Sequence, residues 1–405
     1  MTGYLLFFVP LAILAFFESA KFKEEYVNYV LKLLWIPTIV VTFIFIGFRY
    51  KVGLDWFQYN EFMDHTESLG QVLSGPDNSP IFSDAPFEIG YKWLCLIIKT
   101  IGIGFPGFVA IISAYNLFCL TKFIKRYIPD YRYMFMLILY SINIFREFDI
   151  LRQSLAFYTL LFAIPQINKS FFKYLLICLA ASLFHNSALI FIPIYGIFKL
   201  RFSRRLVLLT SFLYILNFIV PFKILSTISR ILLLIPTSSS FFIEKFLSYI
   251  ELFPTNVHFN FLALTNIFML FSMWLFYDEM VKEDKKYNNL FMMFIAYIFV
   301  VIFFSQVEEI NGRFAYYFTV ESAFILAIMS QCYSKFNRIF YNTCLLGIAC
   351  IKFVSPLQYE ASYLTYFPYN NYLLIDDAED RRIMNNFYKA QDKTKEFYDN
   401  QAVGK

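Results

Sequence analysis

Residues 47–59, GFRYKVGLDWFQY, set Arg49, Lys51 and Asp55 among aromatics directly after a long apolar run. A guanidinium is a planar, permanently charged fork that matches phosphate oxygens in pairs. A carboxylate such as Asp55 could take a proton from a sugar hydroxyl, with Trp56 and Tyr59 as faces to hold the ring. Aromatics also populate every membrane interface, so the residue types alone leave both readings of Trp56 and Tyr59 open. The same kinds of group recur further on. In NIFREFDILRQSLAFY (143–158) the chain is expected to reverse near 148–150, which puts Arg146 at the end of one helix and Arg152 and Gln153 at the start of the next. Two guanidiniums then flank one opening; on a single unbroken helix Arg146, Asp149 and Gln153 would instead share a face.

In SQVEEINGRFAYYF (305–318) Glu309 and Arg313 stand four residues apart. They are either an intrahelical ion pair, worth about 0.3–0.5 kcal/mol if exposed, or a phosphate ligand with its orienting partner. His185 lies in SLFHNSALIF (182–191) between two apolar half-segments. A neutral imidazole can accept a proton near neutral pH, and a helix break beside it would turn backbone N–H groups toward an anion. The bland alternative is a core histidine bonded to a carbonyl. For all the arginines the bland alternative is snorkelling to the interface.

The elements that must carry these groups follow from composition. Of 405 residues 59% are hydrophobic and 21% aromatic, including 53 Phe and 30 Tyr, and only 16% are charged. A soluble domain is about half apolar and about a quarter charged. Several charge-free runs reach the ~17–25 residues that a helix needs to cross the hydrocarbon core. An all-α polytopic membrane protein is expected. Candidate spans are 3–19, 29–48, 104–124, 133–147, 150–166, 205–221, 259–280, 288–304, 314–333 and 338–354. Residues 172–199 form a tighter pair around FHNSA, as a hairpin of short helices or a re-entrant element, bringing the total to about twelve transmembrane helices. Residues 88–103 are amphipathic, with Lys92 and Lys99, and are expected to lie along the interface. The first apolar run lacks a basic n-region and reads as a span, not a signal peptide. Residues 1–354 are thus expected to form one transmembrane domain with outer loops at 49–103 and 222–258, and 355–405 a polar, amphipathic tail.

The loops richest in Lys and Arg, at 121–132, 199–205, 282–286 and 334–338, are assigned to the cytoplasm by the positive-inside rule. Alternation then sends Arg49, Asp55, Arg146, Arg152, Gln153, His185, Glu308, Glu309 and Arg313 to the outer mouth of the bundle. Ionisable groups at such depths mark a substrate path by default. A net charge of +5, scattered along the chain, gives no basis for nucleic-acid binding. The six cysteines and three histidines show no ligand spacing, so no metal site is expected. Walker, GxGxxG and GxSxG motifs are absent from the sequence.

Six short pieces, in order, carry a family resemblance: GFRYKVGLDWFQY (47–59), FEIGYKWL (87–94), ILRQSLAFY (150–158), LFHNSALIF (183–191), GRFAYYF (312–318) and FPYNNYL (367–373). Together they resemble the EpsG-like and Wzy-type bacterial polysaccharide repeat-unit polymerases, over nearly the whole chain. The resemblance implies a membrane-embedded glycosyltransferase of GT-C-like architecture in the bacterial cytoplasmic membrane, with its active site facing the exterior. It implies undecaprenyl-diphosphate-linked glycans as donor and acceptor, membrane lipids around it, and flippase and chain-length regulator proteins as partners. On that reading Arg49, Arg152 and Arg313, with Arg146 and Gln153 beside them, bind the diphosphate. His185 and Asp55 compete as the base, His185 being favoured by its ordinary pKa and Asp55 by analogy, while Glu309 trails. No cofactor is expected; some relatives use a divalent cation, but no DxD-type pair stands in the first outer loop. A glycan ligase using the same donor, a lipid-linked oligosaccharide transporter and an acyltransferase using His185 are the competing readings. The transporter would more often show repeated halves, which are not evident here.

Overall fold

A computed structural model describes residues 2–20, 25–74, 87–233, 259–283 and 287–403. Most of the expected outer loop at 222–258, and part of the basic loop at 282–286, lie outside the described residues. Among the described residues the regular structure is helical, and β-pairing is limited to one isolated antiparallel bridge, Arg49 with Asn371. Four helical stretches are long and apolar enough to cross a membrane: Thr2–Ala20, Glu25–Gly47, Phe105–Tyr127 and Lys335–Gln358. They coincide with four expected spans. Shorter apolar helices follow at Phe171–Ser182, Asn186–Phe198, Phe261–Leu275, Asn288–Phe303 and Thr319–Cys332. The chain is an all-α membrane protein.

The contacts divide it into two units. The first comprises residues 1–163, 175–188 and 334–405; the second comprises 164–174 and 189–333. In the first unit the C-terminal residues pack with the N-terminal ones.

In the first unit, Phe105–Tyr127 shows how local sequence sets an element. Pro106 sits in its first turn, where a missing N–H costs nothing, and Lys125 and Arg126 complement the helix dipole at its end. Phe105, Phe108, Val109, Ile112, Asn116, Leu120, Phe123 and Tyr127 recur at helical spacing and are buried. At the other end of the neighbouring Arg132–Asp149 helix, the Glu18 carboxylate accepts from the Tyr133 N–H at 2.8 Å and lies 3.4 Å from Arg132. A carboxylate there satisfies an orphan donor and favours the helix dipole. Residues 88–103 form the Ile89–Thr100 helix, too short to cross; Lys99 from its last turn donates to the Met63 and Asp64 carbonyls, ending the Asp55–His65 helix.

The C-terminal segment is built into this unit. Tyr50 N–H donates to Asn370 O at 3.0 Å and Tyr372 N–H to Phe48 O at 2.7 Å, flanking the Arg49–Asn371 bridge. Tyr4 donates to Tyr366 O at 2.9 Å, with its ring 4.9 Å from Phe367 and 5.5 Å from Tyr369. Beyond it, the Asp377–Val403 helix packs on Glu360–Tyr366, places Asp380 2.7 Å from Lys51 and stacks Phe387 on Phe57 at 3.6 Å between centroids.

In the second unit, Asn288–Phe303 is buried on nearly every side, packed by Phe191–Phe198, Arg204–Ile219, Glu308–Tyr316 and Thr319–Ile328. Ser203 and Asn260 cap the Arg204–Ile219 and Phe261–Leu275 helices with their side-chain oxygens. Asn266 donates to the hydroxyls of Tyr214 and Tyr297, so a buried amide finds partners on two other helices. Around FHNSA the helix stops at Ser182 and resumes as a 3₁₀ turn at Asn186–Ile190 leading into Phe191–Phe198. The Tyr174 hydroxyl donates to Phe191 O at 2.6 Å.

The turn before Asp55 has a specific demand. Gly53 has φ +103°, and a Cβ on it would lie 2.7 Å from Asp149 Oδ1 and 2.9 Å from Phe148 O. Gly53→Ala is therefore expected to cost about 1–3 kcal/mol from backbone strain and collision. Thermal unfolding of the detergent-solubilised protein checks this, and an unchanged melting temperature would mean the turn is not held as described.

Candidate functional site

The arginine that enters the site most directly is Arg152. The Arg132–Asp149 helix breaks at Ile150, whose backbone leaves the helical region (φ −92°, ψ 57°), and Leu151–Leu160 begins immediately after it. The break expected near 148–150 is thus present, with Arg146 in the last turn of one helix and Arg152 and Gln153 in the first turn of the next. Arg152 forms a close ion pair with Glu88, their side chains 18% and 11% exposed. Its guanidinium carbon lies 4.6 Å from the Phe87 ring centre and 5.8 Å from that of Tyr59. Cation–π contacts of this kind contribute about 0.5–2 kcal/mol, more as water is removed.

Glu88 has a second bond that gives the pair its significance. Its Oε1 accepts from the Asn186 N–H at 3.2 Å, so one carboxylate ties Arg152 to the turn that carries His185. That approach is fixed by backbone: Gly90 N–H donates to Leu183 O at 2.8 Å, and a Cβ at Gly90 would sit 2.7 Å from that oxygen. Within the turn, His185 Nδ1 lies 2.6 Å from the Ser187 hydroxyl. Arg152, Tyr59 and the His185 turn, which come from three separated stretches, are therefore brought together around Glu88.

Asp55 starts the Asp55–His65 helix. The N–H of the preceding residue, Leu54, donates to Asp149 Oδ1 at 2.8 Å, and the Tyr366 hydroxyl donates to the other Asp149 oxygen. Trp56 and Tyr59, each 4% exposed, pack in an aromatic cluster with Tyr91, Phe105 and Phe108. In this arrangement they anchor the helix and supply the ring beside Arg152. Burial pushes the Tyr59 hydroxyl up to about 12 against the pull of Arg152, so it stays neutral and accepts from the guanidinium.

Arg49 is placed differently. Only 2% exposed, it donates to Ile46 O at 2.8 Å and Glu147 O at 3.2 Å, with its guanidinium 5.3 Å from the Phe148 ring. Tyr369 and Asn371 donate to Phe45 O and Ile44 O. Arg49 and Tyr369 thus satisfy the Ile46 and Phe45 carbonyls at the end of the Trp35–Gly47 helix, while Asn371 adds to the Phe48 N–H on Ile44 O. Burial lowers Arg49 to about 10, opposed by Glu147, and it remains cationic at neutral pH. Gln153 is buried and Arg146 exposed. Arg313, in the last turn of Glu308–Tyr316, is exposed and belongs to the second unit; Glu309 lies in the first turn of that helix, and its side chain lies outside the described residues.

Three contributors were not nominated from the sequence: Glu88, Asp149 and Tyr366. Glu88 is the one acid in FEIGYKWL and directly follows Phe87, a signal present in the sequence. Among the described residues no three His, Cys, Asp or Glu side chains group as metal ligands.

A family model matches residues 32–371, described as the EpsG family. This range takes in Arg152 with Glu88 and the pairing segment as far as Asn371. The chain belongs to the EpsG family. Its members are Wzy-like polysaccharide polymerases. Neither a curated protein nor a solved structure matches the chain.

Because the buried Arg49 donates to the Ile46 and Glu147 carbonyls, Arg49→Ala is expected to destabilise the protein by about 2–4 kcal/mol, seen as a lower melting temperature. Arg152→Ala, at a part-open position with its rings still packed, should shift melting far less. Equal shifts would contradict this division of roles.

Proposed function

We propose that this EpsG-family protein is a glycosyltransferase that polymerises undecaprenyl-diphosphate-linked oligosaccharide repeat units at the outer face of the bacterial cytoplasmic membrane. The observation that carries the reading is the convergence of Arg152 and the His185 turn on Glu88 within one unit. A hydroxyl of the acceptor sugar attacks C1 of the donor, the C1–O bond to phosphate breaks, and its electron pair leaves with the diphosphate. Fixed guanidinium charge stabilises that leaving group as it forms, in a poorly solvated site. Arg152 is the first ligand on this account, with the exposed Arg146 as a further one. Arg49 contributes by holding the loop that leads to Asp55.

The attacking hydroxyl gives its proton to His185 or Asp55, the two candidate bases. His185 is supported by its place on the turn tied to Arg152, Asp55 by its place at a helix start fixed by Asp149 and Tyr366. The reading also includes about twelve membrane crossings in a GT-C-like arrangement, an outward-facing site, and flippase and chain-length regulator proteins as partners. O-antigen, capsule and exopolysaccharide are the product classes it admits.

Purified protein given lipid-diphosphate repeat units is expected to produce a ladder of longer glycans. Arg152→Ala should cut extension at least about 100-fold while melting near the wild-type temperature. Of His185→Ala and Asp55→Ala, the one that removes the base should flatten the rise of the extension rate with pH. A folded Arg152→Ala protein that extends normally would contradict the proposal, and transport without any ladder would favour a transporter.

A further inference from the structure

Arg152 meets a carboxylate where the proposed reaction requires a phosphate. Its guanidinium has five N–H donors; Glu88 and the Tyr59 hydroxyl engage it, while Nε is buried with no hydrogen-bond partner among the described residues. A cation with a donor to spare suits an anion with more oxygens than a carboxylate. Glu88 for its part is not locked into its own helix. It occupies the N-cap position of Ile89–Thr100, yet its side chain makes no capping bond and turns to Arg152 and Asn186 N–H instead. The backbone contact of Gly90 with Leu183 holds the approach of the two segments without any help from the Glu88 side chain. The carboxylate can therefore move while the scaffold around it stays.

We propose that Glu88 is a placeholder on Arg152 for the diphosphate: donor binding exchanges one anion for the other and frees the Glu88 carboxylate beside the His185 turn. This rests on the reading of Arg152 as a diphosphate ligand. The electrostatics give it direction. An isolated cation among aromatic rings is costly, and Glu88 neutralises it while the site is empty. A diphosphate brings more charge and a bidentate match, so it outcompetes a single carboxylate. The exchange also makes the arrival of the donor felt at the acceptor side, because the displaced carboxylate is the group that was holding Asn186 N–H. A mere structural ion pair would have no such consequence.

The two roles predict opposite signs. Full-length wild-type, Glu88→Gln, Glu88→Ala and Arg152→Ala proteins in lipid nanodiscs are titrated with inorganic pyrophosphate by calorimetry, and glycan extension is measured in parallel. With the competitor removed, Glu88→Gln and Glu88→Ala should bind pyrophosphate about fivefold more tightly, on the scale of a part-screened ion pair, yet extend glycans more slowly. Arg152→Ala should bind it more weakly. If Arg152→Ala binds like wild type, the diphosphate role of Arg152 itself fails. If Arg152→Ala weakens binding but the Glu88 variants bind no more tightly than wild type, the placeholder fails while the role of Arg152 stands. Loss of folding in both Glu88 variants would equally overturn it, since a placeholder is dispensable to the fold.

Discussion

A guanidinium set between two aromatic rings at a membrane surface keeps its charge only with negative partners close at hand. Much of the first unit can be understood from that constraint. Arg152 meets it with Glu88, a side-chain anion that a ligand could replace. Arg49 meets it with backbone carbonyls that no ligand replaces. The two residues look alike in the sequence, each an arginine at the end of an apolar run. Their partners make one a pair that an anion could enter and the other a structural cap.

The second dependence is on the far end of the chain. Helix ends leave carbonyls without partners, and inside a membrane protein these are expensive to strand. The end of Trp35–Gly47 is satisfied from the FPYNNY segment, more than three hundred residues later, together with Arg49. The same C-terminal segment supplies Tyr366 to Asp149, which in turn fixes the start of the helix that carries Asp55. The geometry of residues 48–55 is thus set by residues from distant stretches. The Asp377–Val403 helix adds a further tie through Lys51–Asp380 and Phe57–Phe387.

What could be seen in the sequence follows from the range of each interaction. Apolar run length marks the four long spans, and the polar interruptions mark the breaks at Ile150 and around FHNSA, because both signals are local. The ordered short motifs carry the family. Partners were not legible. Nothing local in GFRY distinguishes an arginine that caps carbonyls from one that meets a side-chain carboxylate, and nothing in FPYNNY announces that residues 370–372 pair with residues 48–50. Glu88 was within reach, since a carboxylate beside Phe87 at the start of an amphipathic stretch is a fit for a cation. Trp56 and Tyr59 read as sugar platforms by type, yet the packing of Asp55–His65 turns both inward.

The central claim is that Arg152 receives an anionic lipid headgroup beside the His185 turn, in place of Glu88. An experimental structure of the protein with a bound polyprenyl diphosphate tests it most directly. The account predicts phosphate oxygens within hydrogen-bond distance of the Arg152 guanidinium, Glu88 turned away from it, and His185 on the same side. Diphosphate bound elsewhere, with the Arg152–Glu88 pair intact, would contradict it.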